Sequence, residues 1–425
     1  GNAGRVAVTA DDIWLTGGDT VYPSGILSAS YWNESGVSGS GGTIDVRANQ
    51  SLLVADLATI SSSAYSTGHA GTVRVTVGGD LSVRNTATIA SATFAEGNAG
   101  AVVVDAGSLT VDGRGNRSFY TGITSQAVIG SMGNAGDVTV NTAGRLSVLN
   151  GGAIDTNTWG GGNAGHVRIA AGSVLVDRGT PDIYTGITSS AGAGSSGDAG
   201  HVEVRADGDI ALLRGGNISS LTMSSGNAGS VRVSANNLTI DRDTSTHVTG
   251  ISSSAAAGSS GHAGNVEVVV NDQLLLARGG MIDSLTMESG NAGSVRVEAG
   301  AITLDRQGSD AITAITSLAA PGSTGNAGSV EVIAHGSLDL INGGRIDSAT
   351  YGAGAAGAVR VAAGDIAVDG RASYDGVAST INAFAAQGSS GQTGQVAISA
   401  TRGITVANGG ELSLRNDATV ADPAQ

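Results

Sequence analysis

The chain has 425 residues, with 69 glycines, 3% aromatic residues, no cysteine and a formal net charge of −15. The negative charge argues against a nucleic-acid partner and against an anionic membrane surface, because both need a basic face. No apolar run reaches the roughly 18 residues that a membrane-spanning helix needs, so we expect no membrane insertion, and the missing cysteines exclude a disulfide framework.

A four-residue motif, GNAG or a close variant, returns along the whole chain, and from the fourth copy onward the intervals alternate between about 29 and about 35 residues. Its copies begin at Gly1, Gly39, Gly68, Gly97, Gly133, Gly162, Gly197, Gly226, Gly261, Gly290, Gly325, Gly354 and Gly391. A period of this length indicates a repeat array. We expect each copy to form a corner, because glycines permit backbone angles that a β-carbon opposes and let stacked turns approach closely. The asparagines would stack as a ladder of side-chain amides. A phosphate-binding role is disfavoured, since no helix follows the motif.

Each repeat contains three short stretches that alternate apolar and polar residues. In the repeat that starts at Gly197 they are 202–204, 210–212 and 218–222, each bounded by turn residues. Three strands per repeat describe one coil of a parallel β-helix, and the chirality of parallel crossovers favours right-handed winding. The sequence therefore predicts an all-β protein, a right-handed parallel β-helix (β-solenoid) of about 13 coils, with residues 1–425 in a single domain.

One position of the third strand is almost always a serine, and this set comprises Ser62, Ser91, Ser125, Ser189, Ser220, Ser253, Ser284, Ser317 and Ser348, with Thr156 replacing serine once. We expect an inward column of hydroxyls that serves packing, because a catalytic serine would not need such copies.

Charge alternates at one outward position of the first strand. In consecutive coils this position holds Arg168, Glu203, Arg232, Glu267, Arg296, Glu331 and Arg360. Neighbouring strands of a sheet lie about 4.8 Å apart, so like charges would repel and opposite charges would attract. The alternation predicts a structural ladder of stacked coils, whose main effect is to fix the register.

The longer repeats carry insertions after the second strand, at 112–121, 177–185, 241–249, 305–313 and 369–380, with 18–24 as an earlier member. Aromatic residues within this set are Tyr22, Phe119, Tyr120, Tyr184 and Tyr374. Two interpretations remain open: a ligand-binding ridge of loops along one edge, or loops that pack back on the coils. An aspartate begins each of the five main loops and an arginine follows closely, which we interpret as turn capping and local ion pairs rather than a catalytic carboxylate pair.

Asp137, His166 and His201 hold one position in three consecutive coils. Stacked imidazoles could approach a transition metal, but three side chains in a line suit few coordination geometries. Solvated surface residues are the favoured interpretation, and we expect neither a metal nor a cofactor.

The stretches GNAGDVTVNTAGRLSVLNGGAID (133–155) and GNAGHVRIAAGSVLVDRG (162–179) resemble the repeats of filamentous-haemagglutinin-type large exoproteins, which Gram-negative bacteria secrete by the two-partner route. The resemblance implies a right-handed β-helix at the cell surface or outside the cell, in adhesion, aggregation or biofilm formation. The NPNG-type motif of that family's secretion domain is missing here, and so is an Arg-Gly-Asp sequence. No functional residue can therefore be transferred.

The function we predict is that of a non-enzymatic extracellular protein, a β-helical stem or filament segment that binds a glycan or protein receptor on a surface. A variant is a fibre that assembles end to end. The alternative is a polysaccharide-active β-helix enzyme of the pectate-lyase type, which should carry one irregular loop region with clustered charges. Because the chain starts without a methionine or a signal peptide, we expect a mature product or an excerpt.

Overall fold

A computed structural model of the chain describes residues 2–18, 24–31, 39–114, 120–179, 183–370 and 376–418. The chain divides into two compact units, of which the first comprises Gly1–Asp207 and Ser224–Gly226 and the second Gly208–Met223 and Asn227–Gln425. The expectation of one domain over 1–425 stays a prediction.

In the first unit, strands that come from successive coils form two parallel sheets. The long-strand sheet contains, in spatial order, β1 (Val6–Thr16), β3 (Ile44–Ala55), β5 (Val73–Arg84), β7 (Val102–Asp112), β9 (Val138–Leu149), β11 (Val167–Asp177) and β13 (Val202–Ala206). The short-strand sheet contains β2 (Gly25–Ser30), β4 (Thr59–Ala64), β6 (Thr88–Thr93), β8 (Thr121–Ala127), β10 (Gly152–Thr158) and β12 (Thr185–Ala191). Spatial order follows chain order in both sheets, so each coil stacks on the one before it.

The second unit repeats this arrangement. Its long-strand sheet contains β16 (Val231–Ala235), β19 (Val266–Ala277), β21 (Val295–Asp305), β23 (Val330–Ile341), β25 (Val359–Asp369) and β27 (Val396–Ala407), and β14 (Ile210–Leu213) joins it through β17 (Leu238–Asp241). Its short-strand sheet contains β15 (Gly216–Thr222), β18 (Thr249–Ala255), β20 (Gly280–Thr286), β22 (Ala314–Ala319), β24 (Arg345–Thr350), β26 (Thr380–Ala385) and β28 (Glu411–Asn416).

The prediction of an all-β parallel β-solenoid is confirmed, with about 12 turns and no helix among the described residues. The sequence spacing predicts about 13 coils because it counts corners, and 13 corners enclose 12 complete intervals. Right-handed winding stays a prediction.

The core consists of columns of aliphatic side chains between the two sheets of each unit. Ile60, Ile89 and Ile123 pair in register on the short-strand sheet of the first unit, and each is fully buried. Leu304 and Leu340 do the same on the long-strand sheet of the second unit. A single coil cannot bury such a column, so stability depends on contacts between neighbouring coils.

The number of strands per coil differs from the predicted three. The first two predicted strands usually join into one long strand, as in β5 and β7. Between these two strands Gly78 and Gly79 lie opposite Gly107, which is a β-bulge. The glycines that predict a turn in the sequence therefore mark a bulge within a continuous strand, and a coil has two to three strands.

The alternation of coil length has its origin in the connection between the sheets. In shorter coils this connection is a tight turn, as at Asn150 and Gly151, where φ is 50° and 91°, and at Asn342 and Gly343, where φ is 56° and 94°. Positive φ at both residues is typical of type I′ turns and favours asparagine and glycine. The longer coils replace this turn with a loop.

The corner glycines are required for close packing and not for unusual backbone angles. A β-carbon on Gly100 or on Gly293 would lie less than 3.0 Å from the carbonyl oxygen of the matching glycine in the preceding coil, Gly71 or Gly264. The same holds at the other stacked copies of the motif, and none of the glycines that begin or end these copies has a positive φ. The expectation that these glycines adopt backbone angles which a β-carbon opposes is therefore wrong. The close approach of stacked coils is the reason that remains.

The column of serines is the hydrogen-bonding partner of these corners. Ser284, which is fully buried, accepts the N–H of Gly293 of its own coil at 2.7 Å and donates to the carbonyl of Gly264 of the preceding coil at 3.0 Å. Ser62, Ser91, Ser125, Ser189, Ser253, Ser317 and Ser348 make the same two hydrogen bonds. Each serine thus satisfies two backbone groups that no strand pairs.

The second residue of the motif also links neighbouring coils, although not as a ladder of side-chain amides. The side chain of Asn134 accepts the backbone N–H of Asn163 at 2.7 Å, and that of Asn291 accepts the N–H of Asn326 at 2.9 Å. In the GHAG variants the ring nitrogen Nδ1 replaces the amide oxygen, and His262 accepts the N–H of Asn291 at 2.9 Å. Histidine fits this position because it too offers an acceptor close to the backbone.

Replacing Gly100 with alanine should destabilise the protein by roughly 1–3 kcal/mol, because the added methyl group overlaps the backbone of the preceding coil. Gly4 holds the same motif position, but a β-carbon there meets nothing within 4 Å. Urea unfolding of Gly100→Ala and Gly4→Ala compares the two. An equal effect of both variants would contradict close approach as the reason for the motif.

Candidate functional site

The aspartates that begin the long loops bind both their own turn and the next coil. Asp305 accepts the backbone N–H of Gln307 at 3.0 Å and the side-chain amide of Asn342, in the tight turn of the next coil, at 2.8 Å. Asp112 accepts from Arg114 and Asn150 in the same way, at 2.9 and 3.1 Å. The carboxylates are therefore used in turn capping and coil stacking.

Two of the loop arginines, Arg242 and Arg306, fold back onto the coils. Arg306 is only 4% exposed, and its Nε donates to the carbonyl of Ala311 at 3.0 Å. Arg242 pairs with Asp310 at 3.0 Å, and its aliphatic stem lies against Gly279 of the next tight turn. In these two loops the structure favours the packed interpretation over an open ridge.

The aromatic residues expected in a ridge are only partly described. Tyr22, Phe119 and Tyr374 lie outside the described residues. Tyr120 packs against the short-strand sheet and donates its hydroxyl to Asp155 at 3.0 Å, and Tyr184 is 46% exposed. The two described tyrosines therefore differ in environment, and a ligand-binding ridge stays a prediction.

The residues of the predicted charge ladder lie in register within each unit. Arg168 is opposite Glu203 in the first unit, and Arg232, Glu267, Arg296, Glu331 and Arg360 follow one another in the second. Ion pairs join Arg232 to Glu267 and Arg296 to Glu331. Arg168 instead pairs with Asp137 at 2.8 Å. All these side chains are substantially exposed, so each pair contributes little to stability.

The hydrogen bonds among the three stacked residues Asp137, His166 and His201 run from one coil to the next and do not converge on one point. The rings of His166 and His201 are parallel at 5.0 Å, and His166 Nδ1 accepts the backbone N–H of His201 at 2.9 Å. Burial, and then the charges of His166 and Arg168, lower the pKa of His201. In the described part of the chain no group of three or more His, Cys, Asp or Glu residues could hold a metal ion.

Several carboxyl groups that face outward on the short-strand sheets are buried, among them Asp155 and Asp283, and they were not identified as a site from the sequence. Asp155 is 4% exposed and accepts from Tyr120 and Thr124, and burial raises its pKa to about 6. Asp283 is 6% exposed, and burial raises its pKa to about 7. The sequence shows only an outward aspartate among serines and threonines, because the cover that buries it comes from other parts of the chain.

Three aromatic rings form an exposed stack beside the short-strand sheet of the first unit. Tyr31 and Tyr65 lie 5.1 Å apart, Tyr65 and Phe94 lie 4.3 Å apart, and both pairs are nearly parallel. Their exposures are 71%, 40% and 40%. Tyr65 and Phe94 each follow a column serine by three residues, and Tyr31 follows Ser28, which lies in register with Ser62, by the same offset. This shared offset is the sequence signal that could have predicted the stack.

Comparison with known proteins gives no match: no family model, no curated protein and no solved structure resembles the chain closely enough to be assigned. Fold and repeat geometry alone define the class, which is a parallel β-solenoid repeat protein. Within the described ranges no helix has the length and hydropathy of a membrane span.

Replacing Asp283 with asparagine should raise the unfolding midpoint at pH 8 and have a much smaller effect near pH 4. The folded-state pKa of about 7 exceeds the unfolded value of ~3.9, so the favourable contribution of this group is complete below about pH 4 and is lost as the pH rises through 7. The exposed Asp272 offers the control Asp272→Asn, with little effect at either pH. A stabilisation by Asp283→Asn that is equal at both pH values would contradict this assignment.

Charge reversal in the ladder should be mildly destabilising and sensitive to salt. Arg296→Glu places a carboxylate between Glu267 and Glu331 and beside Glu298, so we expect a loss on the order of 1 kcal/mol at low ionic strength. Arg296→Gln removes the pairs without adding repulsion and serves as the control. Urea unfolding at low and high salt measures both, and equal losses that do not respond to salt would contradict an electrostatic role.

Proposed function

We propose that the protein is a non-enzymatic extracellular structural or adhesive protein, a β-helical stem or filament segment. The observation that carries this proposal is the repeated corner, in which the same serine links the backbones of two coils at position after position. The repeated polar residues are thus used in coil stacking. Such an architecture supports a long, stiff spacer between an anchor and a contact surface.

The resemblance of the repeats to filamentous-haemagglutinin-type exoproteins supports the same proposal. The repeats at 133–155 and 162–179, which begin with the GNAG corner, carry this resemblance, and the net charge of −15 disfavours nucleic acid as a partner. We infer from this resemblance a location at the bacterial surface or outside the cell, two-partner secretion, and roles in attachment, aggregation or biofilm.

A second form of the proposal is a fibre that assembles end to end. In such a fibre, strands of separate copies would pair as strands of successive coils pair within each unit, for example Ile366 with Ile404 and Val368 with Val406.

The aspartates of the long loops do not support the enzymatic alternative. A polysaccharide lyase of this fold would need a local cluster of carboxylates and cations, whereas Asp112, Asp241 and Asp305 occur once per long coil and bind turns. Turnover of an acidic polysaccharide in a reducing-sugar assay, lost in a loop variant, would reinstate that alternative.

Adhesion should be measurable with beads that carry the purified chain. We expect such beads to resist detachment under flow from epithelial monolayers, or from a layer of the same chain, better than albumin-coated beads do. Beads coated with chain that was unfolded in urea before coupling control for a folded surface. Electron microscopy over a concentration series separates the two forms, because fibres should appear only if copies stack. Retention equal to that of albumin beads on both surfaces, without fibres, would contradict the proposal.

A further inference from the structure

A pocket lies on the outward face of the short-strand sheet of the second unit, across β24, β26 and β28. It has a volume of about 360 Å³, within the range of roughly 300–1,000 Å³ that is usual for small-molecule sites. We call it the Asn382 pocket. The charged, aromatic and amide side chains that line it are Arg345, Tyr351, Asn382, Phe384, Glu411 and Arg415. All six belong to one unit, and the aliphatic segment 376–378 forms a further wall.

The base of the pocket contains two buried polar atoms without a partner among the described residues. Asn382 Oδ1 and Thr380 Oγ1 make no hydrogen bond, although each residue is only 8% exposed. Leaving a buried donor or acceptor unsatisfied costs roughly 1–3 kcal/mol, so such groups usually have a partner. In the adjacent strand Asp347, directly opposite Asn382, accepts from Thr316 and pairs with Arg345 at 2.8 Å. The unsatisfied amide of Asn382 therefore marks a place where a ligand can supply the missing hydrogen bond.

The charges around the pocket favour a neutral ligand. Arg345 is paired with the buried Asp347, and Arg415 is paired with Asp417 at 2.6 Å, so neither guanidinium is left uncompensated for a strongly anionic ligand. The two guanidinium groups also disfavour a metal cation at the oxygen atoms of Thr380 and Asn382. They still offer N–H donors, while Asn382 and Glu411 offer oxygen acceptors. Alternating donors and acceptors suit a ligand with several hydroxyl groups.

Aromatic rings supply the apolar part of the site. Phe384 and Tyr351 meet edge to face, with ring centroids 5.4 Å apart and planes at 78°. Phe384 is only partly buried and lies two residues beyond Asn382 on the same face of β26. A pyranose ring has an apolar face of C–H groups and a rim of hydroxyls. It can therefore contact an aromatic ring and the polar groups of this pocket at the same time.

We propose that the Asn382 pocket binds a neutral saccharide of one or two sugar rings, with the apolar face of a ring on Phe384 and a hydroxyl donating to the Asn382 amide oxygen. The inference rests on the proposed extracellular role, for which it names the class of receptor. The guanidinium groups of Arg345 and Arg415 donate to ring hydroxyls, and the Glu411 carboxylate accepts from them.

Saturation-transfer NMR and calorimetry with methyl glucoside, maltose, cellobiose, lactose and N,N′-diacetylchitobiose test this proposal. We expect at least one of these sugars to bind, and Asn382→Leu and Phe384→Ala each to weaken that binding at least tenfold. Because the Asn382 oxygen has no partner, Asn382→Leu should not lower the unfolding midpoint, which separates loss of the site from loss of the fold. Asn271→Leu makes the same change at an exposed position of the long-strand sheet and should leave binding unchanged.

Failure of the pocket and failure of the proposed function can be told apart. Absence of binding by all five sugars, or binding that both pocket variants retain, would overturn the saccharide site. Tighter binding of trigalacturonate or of calcium than of any neutral sugar would also overturn it, because the pocket would then select charge. Beads that still adhere in any of these cases would leave the adhesive role standing without this receptor class.

Discussion

The close approach of neighbouring backbones at the corners is the constraint on which the rest of the structure depends. A β-carbon at Gly100 or Gly293 would overlap a carbonyl group of the preceding coil, so these stacked motif positions favour glycine over every other residue. That approach brings glycine N–H and carbonyl groups to one point without a strand to pair them. Ser91 and Ser284 fill this need from the neighbouring sheet, each with one accepted and one donated hydrogen bond. The corner and the serine column therefore depend on each other, because the serines satisfy the backbone groups that the corner leaves without a strand partner.

The polar residues of the chain fall into two groups according to whether they take part in such repeated contacts. The first group repeats with the coils and satisfies backbone groups, as Asn134 and His262 do through the N–H of the next coil and Asp305 does through the turn of its own loop. The second group departs from the repeat, and its members lie on outward faces, such as Asp283 and Asn382. A function that needs a particular ligand must depend on the second group, because a residue copied in every coil cannot define a unique place.

Much of the fold could be predicted from the sequence because its period is also the period of its contacts. The corner spacing, the serine column and the alternation of Arg232, Glu267 and Arg296 all reflect contacts between equivalent residues one coil apart. Features set within one coil were harder to predict. The bulge at Gly78 and Gly79 carries the same letters as a turn, and the glycines of the corners need space rather than positive φ. Burial of an outward residue could not be predicted at all, since it depends on which loop covers it, as Tyr120 covers Asp155.

The regularity of the solenoid is what makes its irregular positions informative. At the outward position of the short-strand sheet, neighbouring coils form hydroxyl–carboxyl pairs, Thr124 with Asp155 and Thr316 with Asp347, and each pair satisfies its own buried groups. Asn382 occupies the next place in this row, beside an aspartate whose oxygens already have partners, and its other neighbour in register is Ser413. The amide oxygen is left unsatisfied where the pairing pattern ends. At the equivalent positions, Asp155 and Asp347 each accept a hydrogen bond from a threonine of the neighbouring coil. Asn382 Oδ1 lacks this hydrogen bond, and a ligand can supply it.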